Sequence, residues 1–233
     1  MEYLRDAGVW EHWGPKSFRW ARGGGGSVEA AADALPTVQD AAPPAQAFGT
    51  LEEVRDYVGE CVKCKLHKGR THIVFGVGNP HARLVFVGEG PGRDEDLQGE
   101  PFVGNAGQLL TDIIEKGMKL KRPDVYIANI IKCRPPENRD PEEDEIAACE
   151  PYLRAQLGVI RPKIICALGR VAAQTLLKTK EPISKLRGKV FTYEGITLVP
   201  TFHPAYLLRN PADKALAWKD VQLIMKLYEG GID

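Results

Sequence analysis

The sequence predicts an α/β fold, a three-layer α/β/α sandwich with a central four-stranded parallel sheet. Four short, continuous apolar runs lie at 84–88, 125–130, 163–168 and 196–200. Continuous apolar runs are typical of parallel strands that are buried on both faces. Helical patterns follow these runs one by one, at 106–117, 141–157, 169–177 and 213–228. Strands that alternate with helices in this way indicate a doubly wound sheet.

Composition supports a single such domain with some chain left over. The chain has 233 residues, of which 43% are hydrophobic, and its 31 Lys and Arg balance its 31 Asp and Glu. No apolar run approaches the roughly 18–20 residues that a membrane span needs. The N-terminus also lacks the apolar stretch of a secretory signal. We therefore expect a cytoplasmic protein without a membrane anchor, whose thiols stay reduced.

The N-terminal segment differs in composition from the rest of the chain. Residues 1–22 form an aromatic extension that carries three of the four tryptophans, whereas residues 23–49 are rich in Gly, Ala and Pro. The second composition is typical of a flexible linker. We expect the extension to be loosely attached or to bind an unidentified protein partner. Residues 50–233 then contain the folded domain, which is slightly basic once the acidic leader is set aside.

Polar side chains follow three of the predicted strands. Glu89 lies in a glycine-rich loop after the first strand, Asn129 ends the second and His203 follows the fourth. Ligands of doubly wound sheets bind at this carboxyl edge. The loop contains several acids, which would repel a phosphate. Its glycine spacing matches neither the P-loop motif nor the dinucleotide-binding motif, which argues against a nucleotide-binding loop. A carboxylate there suits activation of water or stabilisation of a developing cation, although a solvated turn is the alternative.

Four of the five cysteines have the spacing of a metal site. Cys61 and Cys64 form a CxxC pair, and Cys133 and Cys149 follow later in the chain. Four thiolates bind zinc or an iron–sulfur cluster, and the spacing leaves the two open. Cys149 is alternatively a core residue of its helix, and the CxxC is alternatively a redox pair. Cys166, inside a predicted strand, is expected to be a core residue.

Taken together, these motifs resemble the family 4 uracil-DNA glycosylases over about residues 50–228. The likeness rests on the order and spacing of the CxxC pair, the segments 88–92, 101–104 and 129–135, Cys149, and the segment 203–208. The resemblance implies a uracil-DNA glycosylase-like fold. It also implies a [4Fe-4S] cluster on Cys61, Cys64, Cys133 and Cys149, and hence iron rather than zinc.

The resemblance assigns a role to each residue of the loops. Uracil must be flipped out of DNA before its glycosidic bond can be reached. Phe102 is then expected to stack on the base, Asn129 to bond its Watson–Crick edge, and Gly90 to contact it. Glu95 is expected near the C5 edge of the base, where it would exclude the methyl group of thymine.

The chemistry implied is hydrolysis by a monofunctional enzyme that starts base-excision repair. His203 is expected to hydrogen-bond the departing uracil anion, which improves the leaving group. Glu89 is expected to position or deprotonate water and to offset the positive charge of the sugar. The products are free uracil and an abasic site.

Contact with single- or double-stranded uracil-containing DNA is expected from a second set of residues. Tyr206, Leu207 and Arg209 would form a wedge that enters the base stack. Basic side chains around the CxxC pair, from Lys63 to Arg70, would attract phosphates. We expect a monomer associated with the nucleoid through DNA. A non-catalytic iron–sulfur DNA-binding protein and a zinc-stabilised hydrolase of another nucleotide are the alternatives.

Overall fold

Four parallel strands form the centre of the sheet in the computed structural model, which describes residues 48–230. The strands are β1 (Val77–Gly78), β2 (Leu84–Gly88), β3 (Tyr126–Asn129), β4 (Ile164–Leu168), β5 (Phe191–Tyr193) and β6 (Ile196–Thr201). Their order across the sheet is β1-β3-β2-β4-β6-β5. Strands β3, β2, β4 and β6 run parallel, which confirms the four predicted strands.

The sheet has six strands rather than the predicted four, because it contains two outer strands that the sequence patterns did not predict. Strand β1 pairs with β3 and β5 pairs with β6, both antiparallel. Strand β1 is two residues long, too short to leave a pattern in the sequence. Strands β5 and β6 form a hairpin in which Glu194 and Gly195 both have positive φ, as a tight two-residue turn requires.

Eight α-helices surround the sheet in the described part of the chain. They are α1 (Leu51–Val58), α2 (Arg93–Gln98), α3 (Asn105–Asp112), α4 (Glu143–Ile160), α5 (Arg170–Leu177), α6 (Ile183–Leu186), α7 (Pro204–Arg209) and α8 (Lys214–Gly230). A π-helical turn, Ile113–Gly117, extends α3. Helices α3, α4, α5 and α8 agree with the four predicted helices, and the other four, of four to eight residues, lay outside the periodic segments.

Helices cover both faces of the sheet, which confirms the three-layer architecture. Val85 and Val87 point to a core shared with α1, α4 and α5. Leu84 and Phe86, the alternate residues of the same strand, point to a second core shared with α3, α7 and α8. Because the four central strands are parallel, their carboxyl ends lie at one edge of the sheet. Helices α4 and α7 pack on opposite faces of the sheet.

No helix among residues 48–230 is long and apolar enough to cross a membrane. The predicted aromatic extension (1–22) and all but the last two residues of the predicted linker (23–49) lie outside the described residues.

Candidate active site

A cleft of about 380 Å³ opens at the carboxyl ends of the parallel strands. This volume falls in the range of small-molecule sites. The residues of the cleft that the sequence pointed to are Glu89, Gly90, Glu95, Phe102, Asn129, His203, Tyr206 and Arg209. The structure thus brings together side chains that are separated by more than 100 residues along the chain.

Asn129 lies at the floor of the cleft with an unsatisfied acceptor. Its side chain is 1% exposed, and its Oδ1 atom has no hydrogen-bond partner. A Cβ atom at Gly88, on the neighbouring strand, would overlap Oδ1 and would lie 2.7 Å from the Phe102 ring. Glycine is therefore required at position 88, and its lack of a side chain lets Asn129 and Phe102 meet. Buried polar atoms without a partner are rare, and this one lines the cleft, where its acceptor is available to a ligand.

Phe102 is fixed in an unusual backbone conformation at one wall of the cleft. Its φ of 55° lies in the left-handed region, which non-glycine residues seldom adopt. The Arg122 guanidinium donates to the backbone oxygen atoms of Pro101 and Phe102, both at 3.0 Å. The Phe102 ring lies 5.5 Å from the His203 ring, centroid to centroid. The two rings therefore border the same space.

Glu95 joins the two glycine-rich loops of the cleft. Its carboxylate accepts hydrogen bonds from the backbone N–H groups of Gly92 (3.1 Å), Val103 (3.2 Å) and Gly104 (3.3 Å). Both oxygen atoms are engaged, so the carboxylate is held in one position. Glu95 is thus a rigid part of the wall beside Phe102.

Glu89 is a half-buried carboxyl group with a second carboxyl group beside it. The pKa of Glu89 is raised to about 7, chiefly by burial and also by the Asp140 carboxylate, while the Arg170 guanidinium opposes both effects. Arg170, at the start of α5, forms an ion pair with Asp140. A carboxylate with a pKa near neutrality is suited to accept a proton from water. Sequence patterns gave no signal for Asp140 or Arg170, because their contact with Glu89 depends on the tertiary fold.

His203 is the N-cap residue that immediately precedes helix α7. Its Nδ1 atom accepts a hydrogen bond from the backbone N–H of Ala205 at 3.1 Å, so the neutral ring carries its proton on Nε2. Burial lowers the pKa of His203 to about 4, and the ring is therefore neutral near pH 7. A neutral imidazole with Nε2–H is a hydrogen-bond donor in the cleft.

The proposed DNA-contacting residues lie on helix α7. Tyr206 and Arg209 border the cleft, and the Tyr206 hydroxyl donates to Asp213 at 2.6 Å. Leu207, however, is 1% exposed and packs in the core beneath the sheet. Its neighbour Leu208 is 42% exposed. On this helical turn Leu208 is the exposed leucine and Leu207 does not reach the surface, so the expected contact of Leu207 with DNA is wrong.

The four cysteines of the predicted metal site line one small cavity. Cys61, Cys64, Cys133 and Cys149 meet there beside Tyr152. The Tyr152 hydroxyl donates to Cys61 Sγ at 3.2 Å, and the Arg70 guanidinium donates to Cys133 Sγ at 3.6 Å. Cys166 lies apart, in the core on the other face of the sheet.

This donor set suits an iron–sulfur cluster. Four thiols that converge from three separate segments can supply the four ligands, and hydrogen bonds to sulfur of the kind seen here tune such clusters. Within residues 48–230, no three His, Cys, Asp or Glu side chains already lie in the arrangement that holds a single metal ion. Of the basic residues near the CxxC pair, Arg70 points to the cysteines, and Lys65 pairs with Glu142.

Comparison with known protein sequences identifies a family that matches this chain. The family model described as the uracil DNA glycosylase superfamily matches residues 75–222. The chain is 47% identical over 182 residues to the type-4 uracil-DNA glycosylase of Saccharolobus solfataricus, an alignment that covers 75% of this chain and 84% of the relative. It is 45% identical over 186 residues to the Sulfurisphaera tokodaii protein of the same name, covering 76% and 84%. Identity to the Thermotoga maritima protein of that name is 47% over 166 residues, covering 70% and 86%.

Proposed function

Because this chain belongs to the uracil-DNA glycosylase superfamily, we propose that it releases uracil from DNA by hydrolysing the N-glycosidic bond. The abasic site that remains would start base-excision repair. The observation that carries the proposal is the unpartnered Oδ1 of Asn129, buried beside the Phe102 ring in a cleft that also holds Glu89 and His203. This arrangement offers a base a stacking surface, a hydrogen-bonding edge, a proton acceptor and a proton-bearing nitrogen in one place.

Recognition of the flipped base rests on Phe102 and Asn129. The Phe102 ring stacks on uracil, and Asn129 accepts from its N3–H and donates to its O4. Cytosine presents an acceptor at N3, so it would face Oδ1 with two acceptors in contact and no proton between them. Gly90 lines the same cleft, where the absence of a side chain leaves its backbone open to the base.

Glu95 is the wall that excludes thymine. Its three hydrogen bonds to backbone N–H groups prevent the carboxylate from moving aside. A methyl group at C5 of the base would therefore meet a fixed obstacle rather than a mobile side chain. This proposal concerns shape alone and does not require Glu95 to contact uracil by hydrogen bonding.

Bond breaking is divided between His203 and Glu89. As the glycosidic bond opens, negative charge develops on uracil, and the Nε2–H of neutral His203 stabilises that charge by a hydrogen bond. The sugar becomes oxocarbenium-like, and the Glu89 carboxylate offsets its positive charge. Glu89 then accepts a proton from the water that adds to the sugar carbon. His203 acts in the neutral form that its burial favours, whereas Glu89, whose pKa is raised to about 7, acts in the ionised form that forms as the pH rises through neutrality.

A [4Fe-4S] cluster on the four cysteines fits the donor set and would serve as a structural centre. Cys133 follows β3 by four residues and Cys149 lies on α4. A shared group there links the chain after Asn129 to the helix behind it. When bound, the cluster supplies a rigid cross-link between these segments.

Contact with DNA is proposed for helix α7 and its surroundings. Arg209 and Tyr206 border the cleft, and the exposed Leu208 replaces Leu207 as the side chain that enters the base stack. Apolar wedges of this type are common in proteins that distort DNA. We further propose that the protein acts as a monomer, in the cytoplasm and on the nucleoid. The segment before residue 50 would then serve as a tether or as a binding site for another protein.

The test is strand cleavage at abasic sites. Single- and double-stranded oligonucleotides with one uracil are incubated with folded, iron-loaded protein and then treated with alkali, and matched oligonucleotides carry thymine at the same position. We expect cleavage at uracil alone. Intact uracil strands that the protein nevertheless binds would instead support a non-catalytic DNA-binding protein.

A further inference from the structure

A buried lysine connects the base-reading asparagine to the cysteine site. Lys132 is 1% exposed. Its Nζ atom donates to the backbone oxygen of Asn129 at 2.9 Å and to Gln156 Oε1 at 2.7 Å. No carboxylate pairs with this ammonium group in the described part of the chain. Both acceptors are therefore neutral, and one of them belongs to the residue whose side chain forms the floor of the cleft.

The position of Lys132 is costly for the fold. Removing an ammonium group from water costs several kcal/mol even after relaxation, and an apolar side chain of similar volume is often at least as stable. Hydrogen bonds to two neutral acceptors offset only part of this cost. The site therefore calls for an explanation other than stability.

The backbone of Lys132 contacts the cysteine site directly. Its N–H donates to Cys149 Sγ at 3.2 Å, and the next residue along the chain is Cys133. The ammonium group meanwhile reaches back three residues to Asn129. The Lys132 side chain therefore links the two ends of the segment from Asn129 to Lys132 by a hydrogen bond. The backbone of Lys132 is in turn hydrogen-bonded to the cysteine site through Cys149 Sγ.

Gln156 keeps the ammonium group in place. It lies on α4, seven residues after Cys149, so the two side chains share a helix face. Its Nε2 atom donates to the backbone oxygen of Phe75 at 2.9 Å and to the Tyr126 hydroxyl at 3.1 Å. The amide is therefore oriented, and its Oε1 can only point toward Lys132.

We propose that Lys132 is a positioning residue that couples base recognition to the cysteine site. Its hydrogen bond fixes the Asn129 peptide group, and with it the direction of the unpartnered Oδ1. The contact of its own backbone with Cys149 makes that direction depend on an intact cysteine site. This inference rests on the proposed function and deepens it. The cysteines then support the reading of uracil as well as the fold.

The test compares two duplexes that differ at one base pair. One carries 2′-fluoro-2′-deoxyuridine, whose electron-withdrawing fluorine slows cleavage so that binding can be measured, and the other carries thymidine. Lys132→Met is measured beside Lys214→Met, which removes a buried lysine of α8 on the opposite face of the sheet. Iron content and visible absorption per chain are recorded for each protein.

We expect Lys132→Met to lose about 10-fold or more of its preference for the uracil duplex, the effect of losing a hydrogen bond from a charged group. Its iron content and its affinity for the thymidine duplex should match those of the wild type, and Lys214→Met should keep the full preference. Lys132→Arg, which retains donors, should recover part of it.

Two results would overturn the inference. One is an unchanged preference in Lys132→Met, and the other is an equal loss for both duplexes together with loss of iron, which would make the lysine merely structural. If Lys132→Met does not fold, Gln156→Met provides a second comparison. It removes the Oε1 acceptor that keeps the Lys132 ammonium group in place, together with the amide donor to Phe75 and Tyr126. An unchanged preference in that variant also overturns the inference. A wild-type protein that prefers the uracil duplex without cleaving uracil DNA would contradict the proposed activity and leave the role of Lys132 standing.

Discussion

The guanidinium of Arg122 donates to the backbone oxygen of Phe102 at 3.0 Å, and Phe102 has a left-handed backbone with φ of 55°. Such a conformation costs about 1–3 kcal/mol and persists only where the surroundings enforce it. Arg122 also donates to Pro101 and to Thr111 Oγ1, each at 3.0 Å. The ring proposed to stack on uracil is thus held by a residue 20 positions later in the chain.

Replacing Arg122 should therefore weaken both stability and catalysis. We expect Arg122→Met to lower the free energy of unfolding by about 1–3 kcal/mol, because two carbonyl groups lose a charged donor. Single-turnover release of uracil should fall by about 10-fold as Phe102 loses its fixed position. Urea unfolding and rapid-quench kinetics measure the two effects. Arg122→Lys should lie between the two proteins, and wild-type kinetics in Arg122→Met would show that Phe102 is held by other contacts.

The acidic limb of the pH–rate profile should report Glu89. Glu89 must be ionised to accept a proton, and its pKa is raised to about 7. Uracil release should therefore rise with pH and reach half of its maximum near pH 7. His203 has a pKa of about 4 and stays neutral over this range, so it adds no second limb there.

Variants of the neighbouring charges should move this limb in opposite directions. Asp140→Asn removes a negative charge and should shift the midpoint to lower pH. Arg170→Met removes the opposing positive charge and should shift it to higher pH. Equal midpoints in all three proteins would exclude Glu89 as the group that titrates.

The stability of the fold should depend on pH in the opposite sense to activity, falling as Glu89 ionises. The folded-state pKa of Glu89 exceeds the usual value of 4.5, so the folded protein loses stability as pH rises from about 4.5 to 7. Glu89→Gln should remove that loss and give a higher melting temperature than wild type at pH 8, with a smaller gain at pH 5. The measurement is thermal unfolding at the two pH values, and an unchanged or lowered melting temperature at pH 8 would contradict the burial assigned to Glu89.

Two cysteine variants, one in the proposed cluster site and one outside it as a control, test the proposed cluster. Cys149→Ala should abolish the broad visible absorption and iron content of the purified protein and lower its stability. Cys166→Ala, in the core on the other face of the sheet, should retain both iron and colour at a cost of about 1 kcal/mol for a small cavity. Zinc in place of iron in the wild-type protein, measured by elemental analysis, would reject the cluster.

Leu208 provides a test of the DNA wedge. Leu208→Ala should slow uracil release from double-stranded DNA more than from single strands, because only the duplex must be held open. Leu216, on α8, is exposed to a similar degree, 36% against 42%, and Leu216→Ala serves as the control. Equal effects of Leu208→Ala on both substrates would remove Leu208 from this role.

Much of the fold was predictable because the buried parallel strands are continuous apolar runs. Four strands and four helices followed from periodicity, and the topology then placed the ends of β2, β3 and β6 at one edge. Glu89, Asn129 and His203 could be grouped on that basis alone. Leu207 and Leu208 could not be told apart, because the short helix α7 leaves too little pattern to show which leucine faces the core.

The supporting residues were not predictable from the sequence. Arg122, Asp140 and Lys132 act through hydrogen bonds and ion pairs with residues distant in the chain or with backbone atoms. A single arginine, aspartate or lysine in a sequence is most often a solvated surface group. Only the three-dimensional arrangement distinguishes these side chains from the other charged residues.

The most direct measurement is mass spectrometry of the products formed from a uracil-containing oligonucleotide. The account requires free uracil and a full-length strand that has lost one base, with no protein attached and with no change in a thymine-containing control. An unaltered oligonucleotide, or a strand joined covalently to the protein, would contradict hydrolytic release of uracil by Glu89 and His203.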